Sequence, residues 1–295
     1  MKPEDLGDLQ SLNATIEQTI CDIGIPSRPE ILNRISAEMI KDSPNLRHLG
    51  HLIEADMGLS AGLIKTANSP YFGFRSKVFS PQEALTVLGL DVASQAIAGI
   101  ILRKVFATSD PRIENLLTAS AQVAALSGWI AGNDKSIGVL TNLAYTFGLF
   151  RDCGIPVMLV RFPTYARALE KANSEFLLEF TRVEQDGLPE FPIDHALVGS
   201  LLVESWWLPE GIRRAIQCHH DVKVFADKSG EIPLSCKKLI AIGHLAEHLR
   251  SEVLNNRISM EWGKLGAASL DILGLEEKKL LPLYEGAAAV LDGFE

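Results

Sequence analysis

The side chains that could do chemistry together fall in the second half of this chain. An apolar run, Leu143-Ala144-Tyr145-Thr146-Phe147-Gly148-Leu149-Phe150, ends abruptly in Arg151-Asp152. Downstream come Asp194-His195, then Cys218-His219-His220-Asp221, then His244 with Glu247, each near an expected helix end. Carboxylate and imidazole suit a divalent cation, which lowers the pKa of a bound water and turns it into a nucleophile. The spacing is that of a helical metal pocket with pieces missing. Blander readings stand beside it. His219 and His220 follow a helix expected to end near Gln217, where imidazoles also settle against the negative end of the helix dipole. His195 reads equally as the first turn of a helix. Cys218 has no second, spaced cysteine to build a tetrahedral zinc site. Neither Cys153 nor Cys218 shows the surroundings that activate a thiol.

These residues need helices to position them. Leu143, Phe147 and Phe150 recur at helical spacing, so the last turn carries Arg151 and Asp152 to the core, where an ionised side chain needs a partner. The first half is a succession of short helices. Leu12, Ile16, Ile20 and Ile23 form one stripe. Ser27-Arg28-Pro29-Glu30 fits a capping box, with Ile31, Leu32, Ile35 and Met39 expected inward. A stripe from Leu46 to Ile53 closes at Asp56, and Leu59, Leu63, Ile64 and Ala67 follow among the small residues Gly58, Ala61 and Gly62. Ser80-Pro81-Gln82-Glu83 is the clearest cap; its helix is expected to end at Gly89, with Asp91 capping a longer one to about Phe106. Ala107-Thr108-Ser109-Asp110-Pro111 reads as a boundary. Helices are expected after it at 112–131, at 156–171, at 175–186 and through 266–294. The expected fold is all-α, with a subdomain over 12–106 packed on a bundle over 107–295.

Composition excludes some functions. Among 295 residues, 47% are hydrophobic, enough for a sizeable core. The net charge is -9, with Lys and Arg scattered in ones and twos, so no nucleic-acid partner is expected. Four widely spaced cysteines point to a reducing, cytoplasmic location. The acidic N-terminus lacks the apolar region of a signal peptide, and the longest apolar run, Ala96 to Leu102, is too short to span a bilayer. No membrane partner is expected.

Three blocks carry a resemblance: P-S-R-P-E-I-L (26–32), L-I-E-A-D-M-G-L-S-A-G-L-I-K-T-A-N-S-P-Y-F-G (52–73) and S-P-Q-E-A-L-T-V-L-G-L-D (80–91). In order and spacing they resemble the HDOD domain, a bacterial all-helical module related to the HD phosphohydrolases. The resemblance covers roughly Leu12 to Leu249 and implies a signalling or regulatory domain. The 187–221 stretch is similar to the family's Asp-His, Leu-Pro-Glu, His-His block. Related HD enzymes bind metal through a first His, a His-Asp dyad and a distal Asp, and some add histidines for a second metal. By this resemblance the first His falls at Ala119, the dyad at Arg151-Asp152 and the distal Asp at Glu247, while His195, His219 and His220 match family histidines.

Two of the four primary ligands are thus replaced, one by a guanidinium that cannot be deprotonated. A fixed positive charge in a poorly solvated pocket opposes a cation by on the order of several kcal/mol. The implied site is a degenerate HD pocket of Arg151, Asp152, His195, His219, His220 and Glu247, with no catalytic residue assigned. The leading expectation is that Arg151 pairs with Asp152 or Glu247 and that no cofactor is bound. Two alternatives stay open: a weakened divalent-metal site on Asp152, His195, His219 and Glu247, and a small-anion site centred on Arg151. Trp206-Trp207 departs from the family's Trp-Gly, and with Tyr71 and Phe72 forms a candidate surface for a partner or ligand, against a plain packing role. The expected function is a non-catalytic regulatory module acting on signalling proteins. The alternative is a metal-dependent phosphohydrolase or cyclic-nucleotide phosphodiesterase.

Overall fold

A computed structural model describes residues 23–69, 77–107, 110–162, 164–174, 194–227, 229–254 and 260–294, and every regular element among them is helical. The helix expected from Leu12, the aromatic loop with Tyr71 and Phe72, and the helix expected over 175–186 lie outside the described residues.

Helix α1 (Glu30–Met39) starts later than its apparent capping box implies: Pro29 is the N-cap and no side chain caps it. Arg28 dominates this corner instead, donating to Ser36 Oγ at 2.7 Å and to the carbonyls of Leu32 and Trp206 at 3.1 and 3.0 Å. Its inward residues are Leu32, Ile35 and Glu38, while Met39 is exposed, contrary to expectation. Glu38 turns inward because its carboxylate accepts the Asn45 backbone N–H at 2.8 Å, anchoring the entry to α2 (Leu46–Glu54). Asp56 caps α3 (Met57–Ala67) through the Leu59 N–H at 3.1 Å. At α4 (Pro81–Val105) Ser80 Oγ accepts the Glu83 N–H at 3.2 Å and the Glu83 carboxylate reaches back to the Phe79 N–H at 2.8 Å. Within α4 two helices meet at Gly89 (φ 73°, outside the helical region), as expected, and they follow each other directly because a single residue free to adopt positive φ redirects the chain without a loop.

Asp110 caps α5 (Pro111–Asn133), which packs along α6 (Thr141–Phe150). The helix expected over 156–171 is two, α7 (Gly154–Arg161) and α8 (Tyr165–Ser174). Phe162, in extended conformation, separates them, as suits a residue followed by proline. The order continues with α9 (His195–Ser205), α10 (Glu210–Cys218), α11 (Leu234–Val253), α12 (Met260–Leu273) and α13 (Leu280–Leu291). Helix α11 is the hub, touching α5, α6, α10, α12 and α13, with thirteen buried residues over its length. Backbones approach closely where α7 begins: a Cβ on Gly154 would lie 2.0 Å from the His195 carbonyl oxygen, so only glycine lets α7 and α9 meet there.

Two stretches, 81–105 and 141–161, are long and apolar enough to cross a membrane by length and composition, although neither contains a long unbroken apolar run. Half of one and two-thirds of the other are buried inside the protein, so their apolarity is used in packing. Trp206, a candidate surface residue weighed against a packing role, packs: it is buried, its indole donates to the Pro26 carbonyl at 2.9 Å and its ring meets Phe150 edge-on. Trp207 is 71% exposed, has φ 58°, and lies 4.1 Å beneath the Arg28 guanidinium.

Candidate functional site

The turn between α6 and α7 carries Arg151 and Asp152 into the interior. Arg151 is buried, and its guanidinium meets three carboxylates: Asp152 at 3.3 Å through Nε, and Glu247 at 2.7 Å and Glu261 at 3.3 Å through Nη2. Nη1 donates to the Gly243 carbonyl at 3.4 Å. Burial alone would lower the pKa of Arg151, but Asp152, Glu247 and Glu261 outweigh it and hold the guanidinium charged. Burial likewise raises Asp152, and Arg151 with His219 more than reverses this, so Asp152 stays ionised. Glu261 is held well below the carboxylate range by His244 and His220 against burial. Glu247 is the carboxyl raised in the cluster, by burial and by repulsion from Glu261 and Asp152, against the pull of Arg151.

On the other side of Asp152 lie three imidazoles. His195, the first residue of α9, is positioned by its N-cap Asp194, whose carboxylate accepts the Leu197 N–H at 2.7 Å. His219 and His220 follow the last turn of α10. One ligand atom from each of Asp152, His195, His219 and His220 lies within 4.8 Å of the others. Asp152 Oδ1 is 3.8 Å from His195 Nε2 and 3.5 Å from His219 Nε2, and the Nε2 atoms of His195 and His220 are 3.1 Å apart.

The partners of the outer ring nitrogens decide what these rings offer. His219 Nδ1 sits 2.6 Å from the Ile216 carbonyl and must donate to it, which leaves the Nε2 lone pair facing the pocket. That buried Nε2 has no hydrogen-bond partner. His220 Nδ1 donates to Glu261 Oε1 at 3.1 Å, again turning a lone pair inward. His195 Nδ1 meets the Tyr165 hydroxyl at 3.3 Å. Burial pushes His220 down to about 3, helped by His219, and lowers His219 as well, so both rings stay neutral and able to ligate at ordinary pH. Three imidazoles, two of them kept neutral by burial, and one carboxylate, with the outer ring nitrogens tied to a carbonyl, a carboxylate and a phenol, match the chemistry of a divalent transition-metal site.

All six residues expected at the pocket converge, with roles divided differently from the alternative ligand set. Glu247 faces the guanidinium, and His220 joins Asp152, His195 and His219. Sequence reasoning missed Glu261, which touches Arg151, His220 and His244 from α12, and gave no role to His244, whose Nε2 lies 3.2 Å from Glu261 Oε1 and 3.1 Å from the His219 carbonyl.

The described residues thus form an all-helical bundle with an Arg-Asp turn and three converging histidines. The HDOD domain model matches residues 25–222, and the chain belongs to the HDOD family. A curated relative, an uncharacterized protein of Treponema pallidum (strain Nichols), is 25% identical over 222 residues, covering 72% of this chain; the match spans 40% of the relative's length. Among solved structures, a candidate phosphohydrolase from Shewanella amazonensis SB2B aligns with a TM-score of 0.66 at 19% identity over 95% of each chain. A candidate signal transduction protein from Marinobacter aquaeolei VT8 aligns with a TM-score of 0.62 at 18% identity, over 98% of this chain and 64% of its own. At such identities the likeness shows a shared fold.

Proposed function

We propose that this chain is a regulatory HDOD module that holds one divalent cation on Asp152, His195, His219 and His220 and does not hydrolyse phosphate esters. The observation that carries this reading is the position of Arg151. Its guanidinium ties Asp152 to Glu247, the two carboxylates that resemblance assigns to the metal of HD enzymes, and so does the charge-balancing work of a cation without its Lewis acidity. A guanidinium cannot lower the pKa of a water to make hydroxide, and the paired clamp that two-metal phosphohydrolases use is halved.

The remaining donor set fits a cation on its own terms. One guanidinium against three carboxylates leaves the cluster negative, and the buried Nε2 of His219 has no other partner. A bound cation would supply positive charge to that lone pair and tie the ends of α6, α9 and α10 together. Its presence or absence would then set how firmly those helices pack, which a signalling protein docked on the helical surface could read.

The test is the metal content of protein purified without chelator or His-tag, measured beside Asp152→Ala and Arg151→His and paired with an assay of a generic phosphodiester. The expected result is about one equivalent of Zn, Mn, Fe or Ni in the wild type, its loss in Asp152→Ala, and no phosphodiester turnover. Hydrolysis that disappears with Asp152→Ala would overturn the regulatory reading, and metal-free wild-type protein would overturn the cation.

A further inference from the structure

The family match ends at residue 222, yet the pocket draws a carboxylate from α12, well beyond it. Glu261, in the first turn of α12, is buried, and each of its oxygens is engaged. Oε2 lies 3.3 Å from Arg151 Nη2; Oε1 lies 3.1 Å from His220 Nδ1 and 3.2 Å from His244 Nε2. Glu247 serves the same guanidinium from α11, at 2.7 Å. The two glutamates therefore differ in one respect that matters: Glu261 also fixes the ring of His220.

We infer that Glu261 is a positioning residue that sets the pocket's affinity for its cation, by holding His220 as the Nδ1–H tautomer with its Nε2 lone pair turned inward, and that cation binding and the docking of α12 are thereby linked. The inference rests on the cation reading above. An ionised carboxylate is an acceptor only, so the shared hydrogen bond requires the proton on Nδ1. A carboxylate behind a ligating imidazole raises its basicity and fixes its orientation, and loss of such partners in metal sites typically costs about 10- to 100-fold in affinity. The second contact, to His244, extends the support: that ring also meets the His219 carbonyl at 3.1 Å and Ser269 Oγ at 3.3 Å. Glu261 thus backs His220 directly and reaches the His219 carbonyl through His244, so a cation that draws both histidines inward also holds α12 in place. By reciprocity, whatever loosens α12 weakens the cation by the same factor.

The experiment measures Zn²⁺ affinity of the full chain by competition with a chromophoric chelator, for wild type, Glu261→Gln and Glu247→Gln, after circular dichroism and thermal unfolding show that each variant is folded. Glu261→Gln should weaken Zn²⁺ by about 10- to 100-fold, as expected for loss of a carboxylate behind a ligand, and Glu247→Gln distinctly less. Equal losses in the two variants would mean that only the summed charge matters and would overturn the positioning role. A second reading uses cation-free protein: long-range ¹⁵N–¹H spectra should show His220 as the Nδ1–H tautomer in the wild type and as a mixture in Glu261→Gln. An Nε2–H His220 in the wild type would overturn the inference even if Zn²⁺ binds. A wild type that binds no Zn²⁺ overturns the cation reading and the affinity claim with it, while the tautomer decides separately whether Glu261 positions the ring.

Discussion

The two sides of Asp152 solve one electrostatic problem differently. On one side a permanent cation, Arg151, is locked among Asp152, Glu247 and Glu261. On the other, His219 and His220 turn Nε2 lone pairs into the pocket beside His195 and Asp152 Oδ1. The first side has its charges paired, although Arg151 Nε and Glu247 Oε2 lack a well-aligned hydrogen bond. On the cation reading, the second is completed by a bound cation. The pocket is thus half ion-pair cluster and half imidazole cluster, and the halves should respond differently to the same perturbations.

The largest response should come from the closed side. Arg151→Met removes the guanidinium that contacts all three carboxylates of the cluster, two of them, Asp152 and Glu261, held firmly ionised in the wild type. Breaking a buried ion pair from one end typically costs about 3–5 kcal/mol. Urea unfolding should register a loss of that size, partly restored by millimolar Mn²⁺ or Mg²⁺ if the vacated space accepts a cation. A variant as stable as wild type would mean that the carboxylates simply take up protons and that the guanidinium is not what holds this side.

Next comes Gly154→Ala, which strikes the frame of the open side. The added methyl meets the His195 carbonyl at 2.0 Å and the Gly199 amide nitrogen at 2.8 Å, both backbone atoms that cannot swing aside. Overpacking of this kind costs about 1–3 kcal/mol or more. Because α9 must move, His195 moves with it, and Zn²⁺ affinity should fall together with stability. Loss of stability with unchanged affinity would show that the histidines adapt independently of the frame.

Acid should also separate the halves. In chelator-treated protein, His219 and His220 are lowered by burial, His220 to about 3, so the unfolded chain takes up protons near the ordinary histidine pKa while the folded chain does not. Stability must then fall as pH drops below about 6.5, by up to about 1.4 kcal/mol per pH unit for each such ring. Asp152, lowered by Arg151 and His219, adds to the loss only once pH falls below the ordinary carboxylate range, near 4. Melting temperatures should therefore fall between pH 7 and 5, with His220→Asn flattening the profile in part and His248, also lowered by burial, keeping the remainder of the slope. A wild-type profile flat over that interval would place protons on these rings in the folded state.

The closed side was more legible in sequence than the open one. An apolar helix ending in Arg-Asp forces a buried charge, and a buried charge forces a partner; that Glu247 stands beside Asp152 as that partner came from the resemblance to HD enzymes. Glu261 did not, because no motif surrounds it. It does stand four residues before Leu265 and eight before Ser269, on the buried face of α12, and an acid on such a face was the one available signal. Ser27 shows the converse failure. Its capping box was locally convincing, but Arg28 binds the carbonyl of Trp206, 178 residues away, and that tertiary contact governs where α1 begins. Helix type and most caps were local matters; which acid backs which histidine was decided between elements far apart in the chain.

The smallest effect, and the finest test of the asymmetry, should come from Tyr165→Phe. The Tyr165 hydroxyl lies 3.3 Å from His195 Nδ1, a long hydrogen bond whose loss costs on the order of 1 kcal/mol or less. A hydroxyl can donate or accept. Without a cation, His220 Nε2 needs a donor at 3.1 Å, which His195 Nε2–H provides, and the phenol then donates to His195 Nδ1. With a cation in place that proton must leave Nε2 and His195 carries its hydrogen on Nδ1, so the same phenol accepts. Tyr165 therefore supports both states nearly equally, and its removal should lower the melting temperature slightly while leaving Zn²⁺ affinity within a few-fold of wild type. Glu261 supports only the ligating tautomer of its ring. If Tyr165→Phe weakened Zn²⁺ as much as Glu261→Gln, the distinction between an acceptor-only partner and a rotatable one would be void, and the affinity of the open side would depend on ring crowding instead of proton placement.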